Sequence, residues 1–323
     1  MTEALEALRR AKSLAIVSHR DPDPDTIGSA IALGLALVQL GKRVTLHCAD
    51  PVPESSRFLH WADRFVTDPP PPDVDTIVTV DFGSVERAKF PLPTGPTLVN
   101  IDHHASNASF GDVNLVDVTS AATAELVSRV IDDLGVRWTP EMATAALVGI
   151  MTDTGSFQFP STDQRALERA ARLRAAGADL QAITYNIFRN KRFEALRLWG
   201  FAFGRMRREE SGQLVWTEIM RTDFNEAEAR EEDITGLVEQ VARSNGMRIA
   251  LLFNEHEPGT VKISCRTSAW TPSVDAAALM ARWGGGGHVR AAGALVIGRL
   301  ADVRDQVLAA ARAALAEARI PVA

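Results

Sequence analysis

Only two cysteines occur in the chain, Cys48 and Cys265, far apart and each inside a strand-like run, so they read as buried free thiols of a cytoplasmic protein. No apolar segment is long enough and free enough of charge to span a membrane. The first residues, Met1 to Lys12, are charged and helix-like rather than signal-like. Basic residues are in the minority, 35 Lys and Arg against 41 Asp and Glu, and the net charge is −6. That balance argues against a broad surface that neutralises the phosphates of a long duplex. It leaves room for a short anionic ligand held by metals and a few arginines. There is no internal repeat and no low-complexity tail. What the chain does have is 46% hydrophobic residues, ample for packed cores, and at 323 residues it exceeds the usual size of one domain.

The stretch that organises the rest is Ser18-His19-Arg20-Asp21-Pro22-Asp23-Pro24-Asp25-Thr26-Ile27-Gly28-Ser29. It follows a short buried strand over 14–19 and precedes a helix predicted over Thr26 to Leu40, which Gly41 ends. Asp-Pro repeats are ordinary turn material. Here, however, one imidazole and three carboxylates crowd into seven residues where a strand feeds a helix, the place open α/β sheets put their chemistry. Such crowding is unfavourable unless a cation neutralises it. Imidazole nitrogen with carboxylate oxygen suits a divalent ion such as Mn²⁺ or Mg²⁺. A calcium loop of the EF-hand type fails on spacing: counted from Asp21, the sixth position is Thr26 instead of Gly and the twelfth is Ala32 instead of Glu.

Further along, Thr76 to Gly83 is an apolar strand ending on Asp81, and Thr97 to His104 is another, ending in Asp102-His103-His104. Continuous apolar runs separated by helical stretches imply parallel strands covered by helices. Helices are predicted over 121–134 and 140–151, the second opening at Pro140 and running into Thr152-Asp153-Thr154-Gly155. Helical patterns continue over 163–176 and 179–189, and Phe193 to Arg208 reads as an amphipathic connector between domains. The candidate ligand set is therefore His19, Asp23, Asp25, Asp81, His103 and Asp153. Two imidazoles and four carboxylates exceed the needs of one octahedral ion and fit two ions sharing a carboxylate. Such a pair, about 3.5–4 Å apart, supports in-line attack on phosphorus and stabilises the leaving oxygen.

From Gln213 the texture changes to strands at Leu214 to Ile219, Arg248 to Asn254, Val261 to Arg266 and Ala294 to Ile297, alternating with helices near 234–244, 273–282 and 303–318. This predicts a second α/β domain. Between its helix and last strand lies Gly284-Gly285-Gly286-Gly287-His288-Val289-Arg290. Successive glycines let backbone N–H groups face an anion, and no Gly-Lys-Ser/Thr follows to make a Walker loop. His288 and Arg290, with Ser264 and Arg266 on a neighbouring strand, are candidate contacts to phosphate or base. His47, His60 and His256 have no partner pattern, and Phe157, Phe159, Trp199 and Trp283 read as core or interface instead of base-stacking platforms.

Taken together, His19-x-x-x-Asp23-x-Asp25, Asp81, Asp102-His103-His104 and Asp153 within Gly-Ile-Met-Thr-Asp-Thr-Gly resemble the DHH phosphoesterase family. The Gly-rich His loop followed by Arg-Ala-Ala-Gly resembles the DHH-associated substrate-binding domain. The resemblance covers nearly the whole chain, and its layout is similar to the branch of bifunctional oligoribonucleases and 3′-phosphoadenosine 5′-phosphate (pAp) phosphatases, the nano-RNases. It implies an α/β fold with a parallel-sheet catalytic domain over 1–190, a helical connector over 191–212, and a smaller α/β substrate-binding domain over 213–323, with the active site in the cleft between domains. It also implies that His19 and Asp23 hold one Mn²⁺, that Asp25, His103 and Asp153 hold the other, and that Asp81 bridges them, Mg²⁺ remaining open as the alternative. Asp102 would orient a ligand, and His104 would contact the scissile phosphate or assist the leaving group. Pro24 departs from the glycine that relatives commonly carry between the two aspartates. The implied substrates are RNA oligomers of a few nucleotides and pAp. Cyclic or linear dinucleotides are the enzymatic alternative, and a nucleotide-sensing module without chemistry is the alternative of another class. No long duplex and no membrane is expected as partner, and a homodimer is left open.

Overall fold

In the computed structural model, residues 1–209, 211–268 and 274–318 are described, and the chain divides into two compact units, Met1–Asn190 and Lys191–Ala323. The first is built on runs too apolar to face water on either side. Strand β1 (Ser13–Ser18) is buried at every residue, as is β4 (Thr76–Val80). They are joined by β2 (Arg43–His47), β3 (Phe65–Val66), β5 (Thr97–Asp102) and β6 (Val113–Val116) in the order β3-β2-β1-β4-β5-β6, with every neighbouring pair parallel. The order reverses between β1 and β4, so the connections leave the carboxyl ends of those two strands in opposite directions and open a crevice there.

One face of this sheet is covered by a core that includes α1 (Thr2–Arg10), α2 (Pro24–Gln39), α3 (Thr123–Leu134) and α4 (Pro140–Asp153). Helix α2 begins two residues earlier than its apolar pattern predicts. Asp23 is its cap, with Oδ1 accepting the N–H groups of Asp25 and Thr26, and Pro24 takes the first turn, where a missing N–H costs nothing. Helices α2 and α4 touch backbone to backbone: a Cβ at Gly28 would fall 2.2 Å from the carbonyl oxygen of Ala145. Helices α5 (Gln164–Ala175) and α6 (Leu180–Ile183) follow, and α6 runs into a π-helical turn over Thr184–Arg189.

In the second unit, α7 (Phe193–Gly204) stops at Gly204 instead of continuing to Arg208. The following residues leave the helix to form β7 (Arg207–Arg208), which pairs antiparallel with β8 (Leu214–Ile219). Then come α8 (Arg221–Ala227), α9 (Leu237–Val241), β9 (Ile249–Glu257), β10 (Thr260–Thr267), α10 (Ala276–Ala281), β11 (Gly286–Gly287), β12 (Ala291–Ile297) and α11 (Leu300–Glu317). The predicted helix start at Ser273 lies outside the described residues. The sheet order is β11-β12-β10-β9-β8-β7, mixed because β8 and β9 alone run parallel. Alternation in β10 puts Val261, Ile263 and Cys265 in one core and turns Lys262, Ser264 and Arg266 to the opposite face. Trp199 and Leu198 of α7 lie in a second core with α8 and the other face of β8 and β9. No helix among the described residues is long and apolar enough to cross a membrane.

Candidate metal centre

The crevice at the carboxyl ends of β1, β4 and β5 collects the side chains singled out above. His19 leaves β1, Asp81 leaves β4, Asp102 ends β5, and His103 and His104 follow it. Asp153 arrives from the last turn of α4, and Asp23 and Asp25 from the first of α2. Asp81 sits at φ +67, a left-handed conformation that aspartate tolerates better than most residues, and this turns its carboxylate into the middle of the group. Its Oδ2 is 3.4 Å from His19 Nε2 and its Oδ1 is 3.7 Å from His103 Nε2. His19 Nε2 also stands 3.7 Å from Asp23 Oδ2, and His103 Nε2 3.2 Å from Asp153 Oδ2. Among the described residues, three sets each bring their ligand atoms within 4.8 Å of one another: His19, Asp23 and Asp81; Asp25, His103 and Asp153; Asp81, His103 and His104.

Two features show that this donor set fits divalent cations. His19 Nε2 is buried without a well-formed hydrogen bond, although two carboxylates face it at 3.4 and 3.7 Å. Ligand atoms bonded at about 2.1 Å to one ion stand about 3 Å or more apart, which is the spacing seen. The second feature is charge. Burial opposes a charge on His19, yet Asp23 and Asp81 outweigh it and raise its pKa from 6.5 to about 10. His103 likewise rises to about 10 against its burial, through Asp153, Asp81 and Asp25. Burial together with Asp23 and Asp81 lifts Asp153 to about 6 in spite of His103, while the three histidines override burial and hold Asp81 near 2. The clustered carboxylates thus favour positive charge at their centre, which a divalent cation would supply.

Around this cluster lie supports that sequence reading passed over. Burial and the carboxylates of Asp153 and Asp81 push Asp25 well up, but the first turn of α3 answers it: the N–H groups of Thr123 and Ala124 donate to Oδ2 and Oδ1 at 2.7 and 2.9 Å. The same Thr123 donates its hydroxyl to Asp81 Oδ1 at 2.8 Å. Gly149 makes room for the arrangement, since a Cβ there would lie 2.2 Å from Asp25 Oδ1. His19 Nδ1 lies 2.7 Å from the carbonyl of Arg20 and 3.0 Å from the guanidinium of Arg87; Nδ1–H can be given only to the carbonyl, and that tautomer leaves Nε2 as the ligand atom. His103 Nδ1 is 3.2 Å from the carbonyl of Ser120, to which it donates when Nε2 is the ligand. Asp102 instead receives the backbone N–H of His103, His104 Nδ1 at 2.7 Å and the amide of Asn107, so the ring it orients is that of His104. The motif Thr119-Ser120-Ala121-Ala122-Thr123 carried a faint signal, small residues opening a helix whose cap residue Ala122 has no side chain to cap with.

Residues 13–150 match the DHH family, N-terminal domain, and residues 213–317 match the DHHA1 domain. The chain is 38% identical over 308 residues to the bifunctional oligoribonuclease and PAP phosphatase NrnA of Thermus thermophilus, covering 94% of this chain and 90% of that one. The chain belongs to the DHH family. The corresponding protein of Bacillus subtilis is 24% identical over 95% of this chain and 96% of its own length. Cyclic-di-AMP phosphodiesterase GdpP of the same organism is 30% identical over only 54% of this chain and 29% of that one. The crystal structure of an exopolyphosphatase-related protein from Bacteroides fragilis has the same fold, with a TM-score of 0.87, 21% identity, and coverage of 98% of this chain and 96% of that one.

In the DHHA1 unit the glycine run is an edge strand. Gly286 and Gly287 pair with Gly293 and Ala292, and a Cβ at Gly285 or Gly287 would strike the carbonyl oxygens of Gly293 or Ala291 at 2.2 and 2.5 Å. Nothing would meet a Cβ at Gly284 or Gly286, though Gly284 has φ +70. Gly286, Gly293 and Ser264 form one row across the sheet, and Arg266 lies two pairs further along β10. Arg266 is held by Glu239 Oε1 through Nη2 at 2.7 Å and Nε at 3.1 Å. Arg290 donates to the carbonyl of Ser268, and the His288 backbone closes the turn with Ala291. Trp199 is buried and Phe157 packs on the first core, as expected, but Phe159 is 49% exposed.

Proposed function

We propose that this DHH protein is a two-metal phosphoesterase of the cytoplasm that hydrolyses short RNA oligonucleotides to mononucleotides and pAp to AMP. The observation that carries the reading is the pair of donor sets, His19, Asp23, Asp81 and Asp25, His103, Asp153, meeting at the two oxygens of Asp81. His19 and Asp23 would hold one cation, Asp25, His103 and Asp153 the other, and Asp81 would serve both. Imidazole and carboxylate without thiolate favour Mn²⁺ over Zn²⁺, and Ca²⁺ prefers larger oxygen-only cages. When bound, the ions supply Lewis acidity at the phosphate and activate the attacking water. His104 does the rest: Asp102 accepts from Nδ1, which turns Nε2 away from Asp102 and toward the scissile phosphate or leaving oxygen, and Asp102 and Asp81 raise the ring's pKa against its burial, which favours the form that donates there. Ser264, Arg266, Gly284 to Gly287, His288 and Arg290 of the DHHA1 unit are the groups we assign to binding a phosphate or base.

Support for the substrates comes from the NrnA relatives, whose names state oligoribonuclease and PAP phosphatase activity. The test is a ranking of kcat/KM for dinucleotides, longer RNA, pAp and cyclic dinucleotides with purified protein and Mn²⁺. Dinucleotides and pAp should lead, and a chelator should abolish turnover. Preference for a cyclic dinucleotide would replace the reading. Two bound ions with no hydrolysis of any nucleotide would make the protein a sensor.

A further inference from the structure

The turn that follows Asp153 is unusual. Gly155, Ser156 and Phe157 take φ values of +56, +58 and +66, three left-handed residues in succession of which only one is glycine. Backbone in that region persists in side-chain-bearing residues only when its surroundings hold it there. Here they do: Ser156 N–H donates to the carbonyl of Met151 at 2.6 Å, Phe157 N–H to Thr154 Oγ1 at 3.1 Å, and the N–H groups of Gln158 and Phe159 to the Thr154 carbonyl at 2.9 Å. Thr154 itself is fully buried, its hydroxyl donating to the Ile150 carbonyl. The backbone of Phe159 is therefore anchored to the residue next to Asp153, whose carboxylate stands 3.2 Å from His103. Phe157 turns inward and packs on the core, whereas Phe159 turns outward and is 49% exposed. One side of its ring lies on the backbone of Gly155, where a Cβ would fall 2.5 Å from two ring carbons and 2.8 Å from a third. The glycine thus serves as the floor on which an aromatic ring rests, with the rest of that ring left to solvent.

We propose that Phe159 is a stacking platform for the nucleobase next to the scissile phosphate. This rests on the reading of the cluster as a nucleotide-phosphate site and adds what that cluster lacks. Imidazoles and carboxylates can hold ions and a phosphate but offer a base no apolar surface. A ring resting on the backbone of Gly155, two residues after Asp153, does, and because every base has a π-face it binds without choosing a sequence, which suits an enzyme that degrades mixed short RNA. The ring is a binding residue and takes no part in the proton transfers.

The test compares each dinucleotide and pAp with counterparts lacking the base. Phe159→Ala should lower kcat/KM on base-bearing substrates by about ten- to a hundredfold, the range for loss of one stacked base, and lower it far less on the abasic ones. Phe159→Trp should keep most of the activity, and Gly155→Ala, which lifts the ring from its floor, should reproduce the Phe159→Ala pattern. Equal losses on both substrate types, or no loss on either, would overturn the proposal. A second readout does not need turnover: the extra fluorescence of Phe159→Trp over the wild-type protein should be quenched by AMP and not by ribose 5-phosphate. If the wild-type protein hydrolysed no nucleotide, the functional reading would fall while this quenching still decided whether the ring stacks. Absence of quenching with AMP bound would end the idea.

Discussion

At the scale of single residues the centre depends on Asp81, because one carboxylate faces both histidines that sequence reading assigned to different ions. Asp81→Ala should leave a folded protein with turnover reduced by several orders of magnitude and weakened binding of both ions. Near-normal activity would sink the two-metal reading. His104→Ala should keep two ions and lose rate, since the Asp102 contact sets its ring apart from the His103 donor; a fall in metal stoichiometry would reverse the two histidines' roles. The charges also fix a dependence on pH. His19 and His103 have folded pKa values raised from 6.5 to about 10, so their contribution to stability is complete below 6.5 and is lost as pH climbs toward 10. The melting temperature of chelator-treated protein should therefore fall between pH 6.5 and 9. Added Mn²⁺ should flatten the slope, because the cation replaces the protons. A flat profile without metal would show that the histidines do not neutralise the carboxylates.

At the scale of elements, glycines at β11 separate two roles that a run of four makes look alike. Gly285 and Gly287 are pressed on β12, while Gly286 is open. Gly285→Ala should lower the melting temperature by several degrees, the effect of about 1–3 kcal/mol of overpacking. Gly286→Val should melt within about a degree of the wild-type protein and lose kcat/KM on dinucleotides, if a ligand backbone or phosphate approaches there. Unchanged kinetics in a stable Gly286→Val protein would remove the glycine run from substrate binding. Helix starts carry a similar lesson. Asp23-Pro24 is a turn signal and a helix cap at once, and the cap leaves Oδ2 of the same carboxylate facing His19.

For the whole molecule, a net charge of −6 argues against a broad phosphate-neutralising surface, so the proposed recognition rests on a few contacts. His288→Ala and Arg266→Ala should each reduce kcat/KM on dinucleotides and pAp by about ten- to a hundredfold, the worth of one charge-assisted hydrogen bond. A small activated phosphate ester, which needs only the metal centre, should suffer much less. Melting curves belong with the Arg266 variant, since its removal unpairs Glu239 and leaves that carboxylate without its cation. Losses of equal size on both substrates would mean that these residues act in folding or chemistry.

The sequence by itself determined which imidazoles and carboxylates stand at the ends of successive strands. Buried strands in a parallel sheet have to be continuous apolar runs, so a His or Asp at the end of one stands out, and three such ends in succession with Asp153 named the cluster before any coordinates did. Their local neighbours were legible for the same reason, as capping and turn rules act over a few residues. What only the tertiary structure decided were the contacts between residues far apart in the chain. Thr123 and Ala124 reach Asp25 across almost a hundred residues, Gly149 clears the space for it, and Arg87 meets His19 from another loop. Arg266 has the composition of a phosphate ligand, yet Glu239 holds it, and Phe159 has the composition of a core residue, yet it is half exposed. Composition and spacing fix what a side chain can do, whereas its partner and its exposure depend on how separate elements pack, and no local pattern encodes that.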